Sequence, residues 1–74
     1  MSKQEQLAEF ITQDIVAFIM EDDNIDMITA MHRFYSSVTY EKLMEPETGL
    51  YRESSSYVYS MFCDESRLGT LTNQ

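Results

Sequence analysis

Asp14 and His32 are the residues of this chain whose types and positions most resemble catalytic chemistry. His32 is the only histidine, and Asp14 interrupts an apolar series in the first predicted helix. A carboxylate among apolar side chains needs a hydrogen-bonding partner. If two helices joined by a short loop pack antiparallel, the two side chains approach each other as part of an acid–base relay. A small ligand-binding or hydrolytic protein is therefore one alternative, and a structural hydrogen bond or a solvent-facing Asp14 is the other.

The remaining reactive residue types favour no chemistry. Cys63 is the single cysteine, so an internal disulfide is impossible, and its acidic neighbours are unlike the positive surroundings of a reactive thiolate. The acidic run from Glu21 to Asp26 resembles a calcium loop superficially, but it lacks the glycine and the closing glutamate of such a loop. Glycine-rich phosphate loops and Gly-x-Ser-x-Gly elbows are absent from the sequence. We therefore predict no catalytic residues, no metal, no cofactor and no enzymatic activity.

The charge of the chain limits its partners. Thirteen Asp and Glu against five Lys and Arg give a net charge of −8 over 74 residues. Such a chain is repelled by nucleic acids and by anionic membranes, so neither is predicted as a direct partner. A basic protein is the natural complement, although solubility alone also explains an acidic composition. With no signal-like segment and no run long enough to span a bilayer, a cytoplasmic location is expected.

The hydrophobic spacing predicts an all-α fold in a single domain, residues 1–74, with 68–74 as a frayed tail. The first helix begins after Ser2, in a capping box with Glu5, and ends near Glu21. Its predicted buried stripe is Leu7, Phe10, Ile11, Ile15 and Phe18.

Three further helices are predicted. The second starts at an Asn24 or Asp26 cap and buries Ile28, Met31, Tyr35 and Val38, with Met27 and Phe34 alongside. A short third helix, capped by Thr39, places Tyr40, Leu43 and Met44 inward and stops before Pro46. After a turn at Gly49, the serines at 54–56 start a helix that buries Val58, Met61 and Phe62 and ends near Arg67 and Gly69. A strand over 57–62 is the rival interpretation, but nothing pairs with it. The expected architecture is a bundle of three main helices plus one short helix.

The segment from Ile15 to Met20 is apolar almost all round. In a small chain this pattern indicates either a central helix or a second face that contacts another chain. On the second interpretation Val16, Ile19 and Met20 mediate self-association, and a homodimer is the expected oligomer. The methionines, notably Met27, Met31, Met44 and Met61, either fill the core or line an adaptable groove.

Tyrosine and arginine concentrate between residues 51 and 59. Because these residue types dominate binding energies in many interfaces, Tyr51, Arg52, Tyr57 and Tyr59 are the predicted contacts with a protein partner. Alternatively, Tyr51 only covers the open end of the bundle.

The second half of the chain resembles a group of short uncharacterised bacterial proteins. The resemblance rests on Thr39-Tyr40, Lys42-Leu43, Thr48 to Tyr51, Ser54 or Ser55, and Tyr57 to Tyr59, within HRFYSSVTYEKLMEPETGLYRESSSYVYSMF. Similar proteins occur beside genes of toxin–antitoxin type, so the resemblance implies a binding role, and it provides no catalytic residues to carry over to this chain. The predicted function is a non-enzymatic protein-interaction or regulatory module, antitoxin-like, that masks a basic partner. A structural self-assembling subunit is a further alternative.

Overall fold

Four α-helices and two short 3₁₀ helices form the chain in the computed structural model, which describes residues 2–68. The elements in chain order are α1 (Lys3–Asp23), α2 (Met27–Tyr35), α3 (Val38–Met44), 3₁₀ helices at Pro46–Thr48 and Leu50–Arg52, and α4 (Ser55–Leu68). The all-α class is confirmed, and the predicted arrangement of three main helices with one short helix agrees roughly with the observed elements. Leu68 is the last residue of α4, and the remainder of the predicted tail, with the Gly69 stop, lies outside the described residues.

Helix α1 begins at the predicted capping box. The Ser2 hydroxyl accepts the Glu5 N–H at 3.1 Å, and the Glu5 carboxylate accepts the Ser2 N–H at 3.1 Å. The helix continues to Asp23 rather than ending near Glu21, because Asn24 adopts the left-handed conformation at φ 54° and donates its N–H to the Met20 carbonyl. A favourable cap therefore outweighs the cost of acidic residues at a helix C-terminus.

The buried face of α1 differs from the predicted stripe. Leu7 is 36% exposed and Phe10 is 62% exposed, so their predicted burial is wrong. The buried residues of α1 are Ala8, Ile11, Thr12, Ile15, Val16 and Ile19. Helix α1 contacts α2, α3, α4 and the second 3₁₀ helix, so a wide part of its surface is buried. The centre of that buried surface lies to one side of the large residues Leu7 and Phe10.

Helix α2 also turns a different face inward. Asp26 is its N-cap, and Ala30 and Phe34 are its buried residues. The predicted stripe of Ile28, Tyr35 and Val38 is exposed, and Met31 is half-buried. The small Ala30 side chain permits close packing against the core. A buried face predicted from the largest residues alone does not include this position.

Helix α3 is capped by Ser37 rather than Thr39, because the Ser37 hydroxyl accepts the Tyr40 N–H. Thr39 and Leu43 are fully buried, whereas Met44 is exposed, against prediction. The helix ends at Met44, with Glu45 as its extended C-cap before Pro46, and Gly49 takes the left-handed conformation at φ 70°. Both features agree with the expected turn.

Helix α4 follows the Ser54 cap, whose hydroxyl accepts the Tyr57 N–H at 3.1 Å. Val58 and Phe62 are buried, and the Phe62 ring packs edge-on against Phe34 with centroids 5.7 Å apart. The segment 57–62 is thus helical, not a strand. None of the helices in residues 2–68 combines the length and the apolar character that a bilayer crossing requires.

Candidate functional site

Asp14 contacts α4 rather than His32. Its Oδ2 accepts a hydrogen bond from the Ser55 hydroxyl at 2.6 Å, and the Asp14 side chain is solvent-exposed. His32 is exposed on α2, where its backbone carbonyl accepts from Ser36. Within residues 2–68 no hydrogen bond or ion pair joins Asp14 to His32. The described arrangement therefore assembles no acid–base relay from these two residues.

The acidic run at the end of α1 is divided among separate structural contacts. Asp22 accepts from the Tyr59 hydroxyl, Asp23 pairs with Arg33 at 2.6 Å, and Asp26 caps α2. Hydrogen bonds from Thr29, through its side chain and then its backbone, hold the pKa of Asp26 below its usual range. No cluster of three metal-ligating side chains occurs in the part of the chain that the structure describes.

Tyr59 is engaged in contacts inside the molecule. Its ring packs against Phe18 with centroids 5.1 Å apart, and its hydroxyl donates to Asp22 Oδ2 at 2.5 Å. Burial raises the pKa of the Tyr59 hydroxyl far above its ordinary value, and the hydrogen bond to Asp22 raises it further. Tyr59 therefore joins α4 to α1 and is less available to a partner than predicted.

The other aromatic candidates differ in availability. The Arg52 guanidinium lies 5.2 Å from the Tyr51 ring centroid, and its Nε donates to the Tyr51 hydroxyl at 3.2 Å. Tyr51 is half-buried and packs on the core, whereas Tyr57 is exposed. Arg52 and Tyr57 are thus the members of the predicted set that present the most surface.

A groove of about 400 Å³ between α1 and α2 is lined mainly by apolar side chains. Met27 and Tyr35 are 54% and 46% exposed along its α2 side, and Met20 and Met31 are half-buried beneath them. Its lining comprises Glu9, Thr12, Gln13, Val16, Ala17, Met20, Met27, Met31 and Tyr35. We call this feature the α1–α2 groove.

Two of the three predicted self-association residues line this groove. Val16, which is buried with 8% exposure, forms part of its floor, and Met20 forms part of its wall. Ile19 is 1% exposed in the chain's own core, so it has no surface to offer a second chain and is removed from the predicted contact set. Of the methionines considered for an adaptable groove, Met27 and Met31 line it. Self-association itself stays a prediction.

The electrostatic surroundings of the groove are acidic. Among residues 2–68, Glu9 is the only charged residue of its lining. The hairpin of α1, its loop and α2 (residues 3–35) carries seven carboxylates and two cations, Lys3 and Arg33. Arg33 is paired with Asp23, so its charge is largely compensated. The groove therefore combines a mainly apolar lining and one carboxylate with the net negative charge of the chain.

The spacing of the lining residues in the sequence is a signal for this groove. Its α2 wall is Met27, Met31 and Tyr35, spaced by four residues, and its α1 wall includes Glu9, Val16 and Met20 at helical spacing. Those positions form a second stripe beside the core stripe on each helix.

Fold and site together define a small, acidic, all-α domain with an open apolar groove. Comparison with family models, with curated proteins and with solved structures gives no match for this chain.

Proposed function

We propose that this protein is a non-enzymatic protein-interaction module that binds its partner in the α1–α2 groove. The single observation that carries the proposal is the exposure of Met27 and Tyr35 above the half-buried Met20 and Met31. Contiguous apolar surface rimmed by polar residues is typical of interaction sites. A regulatory, antitoxin-like role that masks a basic partner is the form of the proposal that the negative charge favours.

Methionine suits such a contact. Its unbranched thioether side chain adapts to irregular partners and is common in grooves that receive helices. Three of the nine lining residues are methionines, which supports a role in binding over a purely structural cleft. Arg52 and Tyr57, exposed elsewhere on the molecule, are proposed as additional partner contacts.

A structural self-assembling subunit is the second candidate function. Phe10 and Ile28 are each more than half exposed and lie outside the groove lining, so apolar surface is not confined to one place. This candidate predicts association of identical copies through those residues. A hydrolytic function has less support, because Asp14 is engaged by Ser55.

Affinity purification of the tagged protein and two variants tests the proposal. Met27→Glu places a charge in the groove, and Met44→Glu places the same charge at an exposed methionine on α3. The expected result is a stoichiometric protein partner that wild type and Met44→Glu retain and Met27→Glu loses. Circular dichroism checks that both variants remain helical. A partner retained equally by all three proteins contradicts the groove as the contact surface.

A further inference from the structure

Resting on the proposed function, we infer that the occupant of the α1–α2 groove is a cationic amphipathic helix of another protein, not a second copy of this chain. The inference deepens the proposed function, since it names the chemistry of the partner. It rests on the length of the groove, on its lining, and on the charge that surrounds it.

The dimensions of the groove suit a short helical segment. From Glu9 to Met20 the α1 wall extends roughly 16 Å, and from Met27 to Tyr35 the α2 wall extends roughly 12 Å, at about 1.5 Å per residue. Two to three turns of a third helix fit along these walls. Such a helix places apolar side chains at i, i+4 and i+7 against the methionines, which is the helix-in-groove mode of recognition.

Charge complementarity selects a basic helix. Glu9 lies in the groove lining, and lysine and arginine are absent from that lining. The surrounding hairpin is strongly acidic, and its Arg33 is already paired with Asp23. A helix whose solvent-facing flanks carry lysine or arginine gains attraction and faster association from this field.

The same charge disfavours a second copy. Two identical chains that pack groove against groove bring two Glu9 side chains and two acidic hairpins together, each chain carrying a net charge of −8. Like charges placed together across an interface weaken association. A homodimer through the groove is therefore expected to strengthen as salt increases, whereas a basic helix is expected to bind most tightly at low salt.

Two synthetic peptides about four helical turns long test the inference. Both carry leucine along one face; one has lysine on its flanks, and the other has glutamate at the same positions. We expect the lysine peptide to bind at least roughly tenfold more tightly, with affinity falling as NaCl increases. Titration followed through ¹³C-labelled methionine methyl groups locates the site, because Met20, Met27 and Met31 line the groove and Met44 and Met61 do not.

Variants connect the binding to the groove charge. Glu9→Gln is expected to weaken the lysine peptide roughly twofold to fivefold, the size of one exposed charge contact. Glu47→Gln, a matched change at an exposed site in the first 3₁₀ helix, is expected to leave affinity unchanged.

The outcomes separate the inference from the proposed function. Equal binding of both peptides contradicts the inference of a basic partner, but it remains consistent with the groove as an apolar interaction site. If neither peptide moves the groove methyl groups, but sedimentation shows a dimer that Met27→Glu dissociates, a second copy is the occupant and only the inference fails. No peptide binding together with a monomer at all concentrations overturns both.

Discussion

Glu65 on α4 caps the helix that contains Thr39. One carboxylate oxygen of Glu65 accepts the Thr39 N–H at 2.9 Å and the Thr39 hydroxyl at 2.8 Å. Its other oxygen accepts the Val38 N–H at 2.7 Å. The first free N–H groups of α3 are thus satisfied by a carboxylate from a different helix, and the negative charge also matches the positive end of the helix dipole.

Replacement of Glu65 by alanine is expected to destabilise the protein. The variant leaves the Val38 and Thr39 N–H groups without their carboxylate partner, at a cost of about 1–3 kcal/mol. Glu65→Gln keeps one amide oxygen as acceptor and should lose less. Urea unfolding measures both, with Glu47→Ala, at an exposed site, as the control expected within about 0.5 kcal/mol of wild type. Equal stability of wild type and Glu65→Ala contradicts the capping role.

The Asp14–Ser55 contact is expected to be structural. Ser55→Ala should lower stability by a few tenths to about 1 kcal/mol, because the hydrogen bond is solvent-exposed and its Asp14 charge is screened. A double-mutant cycle with Asp14→Ala measures the coupling between the two residues. His32→Ala should leave that coupling energy unchanged. If His32→Ala changes the Asp14–Ser55 coupling energy, an interaction between Asp14 and His32 is supported instead.

Asp26 is expected to contribute to unfolding by acid. The pKa of its carboxyl is lower in the folded chain than in the unfolded chain, so its stabilising effect is complete above the unfolded value of about 4. That stabilisation is lost as the pH falls from there through the folded pKa. Asp26→Asn preserves a good N-cap and cannot titrate, so its urea midpoint should vary less with pH below about 4. Identical acid profiles for variant and wild type rule out this contribution.

Tyr59 is expected to make stability decline at high pH. The pKa of its hydroxyl is raised by folding, so its contribution is fully present below the unfolded value of about 10 and decreases as the pH rises beyond it. Absorbance at the phenolate band should show Tyr59 ionising only as the protein unfolds. The Tyr59→Phe variant lacks this ionisation, so its stability should decrease less than that of wild type as the pH rises above about 10. If the folded wild-type protein gains the phenolate absorbance of Tyr59 near pH 10, before it unfolds, this assignment is wrong.

Local signals in the sequence correctly predicted the helices and turns. The buried face of each helix was predicted from its largest apolar residues, and that prediction was partly wrong. The Ser2–Glu5 capping box, the stop before Pro46, the left-handed Gly49 and the serine start of α4 each depend on a few neighbouring residues, and all occur. Burial depends on how helices cross, and small residues such as Ala8 and Ala30 determine which faces approach closely. Phe10 and Ile28, which the spacing of large apolar residues predicted to be buried, are therefore exposed.

The candidate site was predictable only in part. The sequence pattern identified four of the groove residues as candidate contacts: Val16, Met20, Met27 and Met31. It did not predict that they share one groove, because the relative rotation of α1 and α2 cannot be read from the sequence. The Glu65 cap lies beyond local reasoning altogether, since it joins residues separated by 26 positions. Contacts of this kind need the tertiary arrangement, because any of the thirteen carboxylates is chemically able to cap α3.

The long-range cap has a consequence for the order in which the chain acquires structure during translation. Helix α3 has seven residues, far fewer than a helix needs to persist alone in water. Its N-terminal partner belongs to a stretch that leaves the ribosome only after α3 and both 3₁₀ helices have emerged. We therefore expect α3 to become a stable helix only after Glu65 has left the ribosome and can accept its N–H groups.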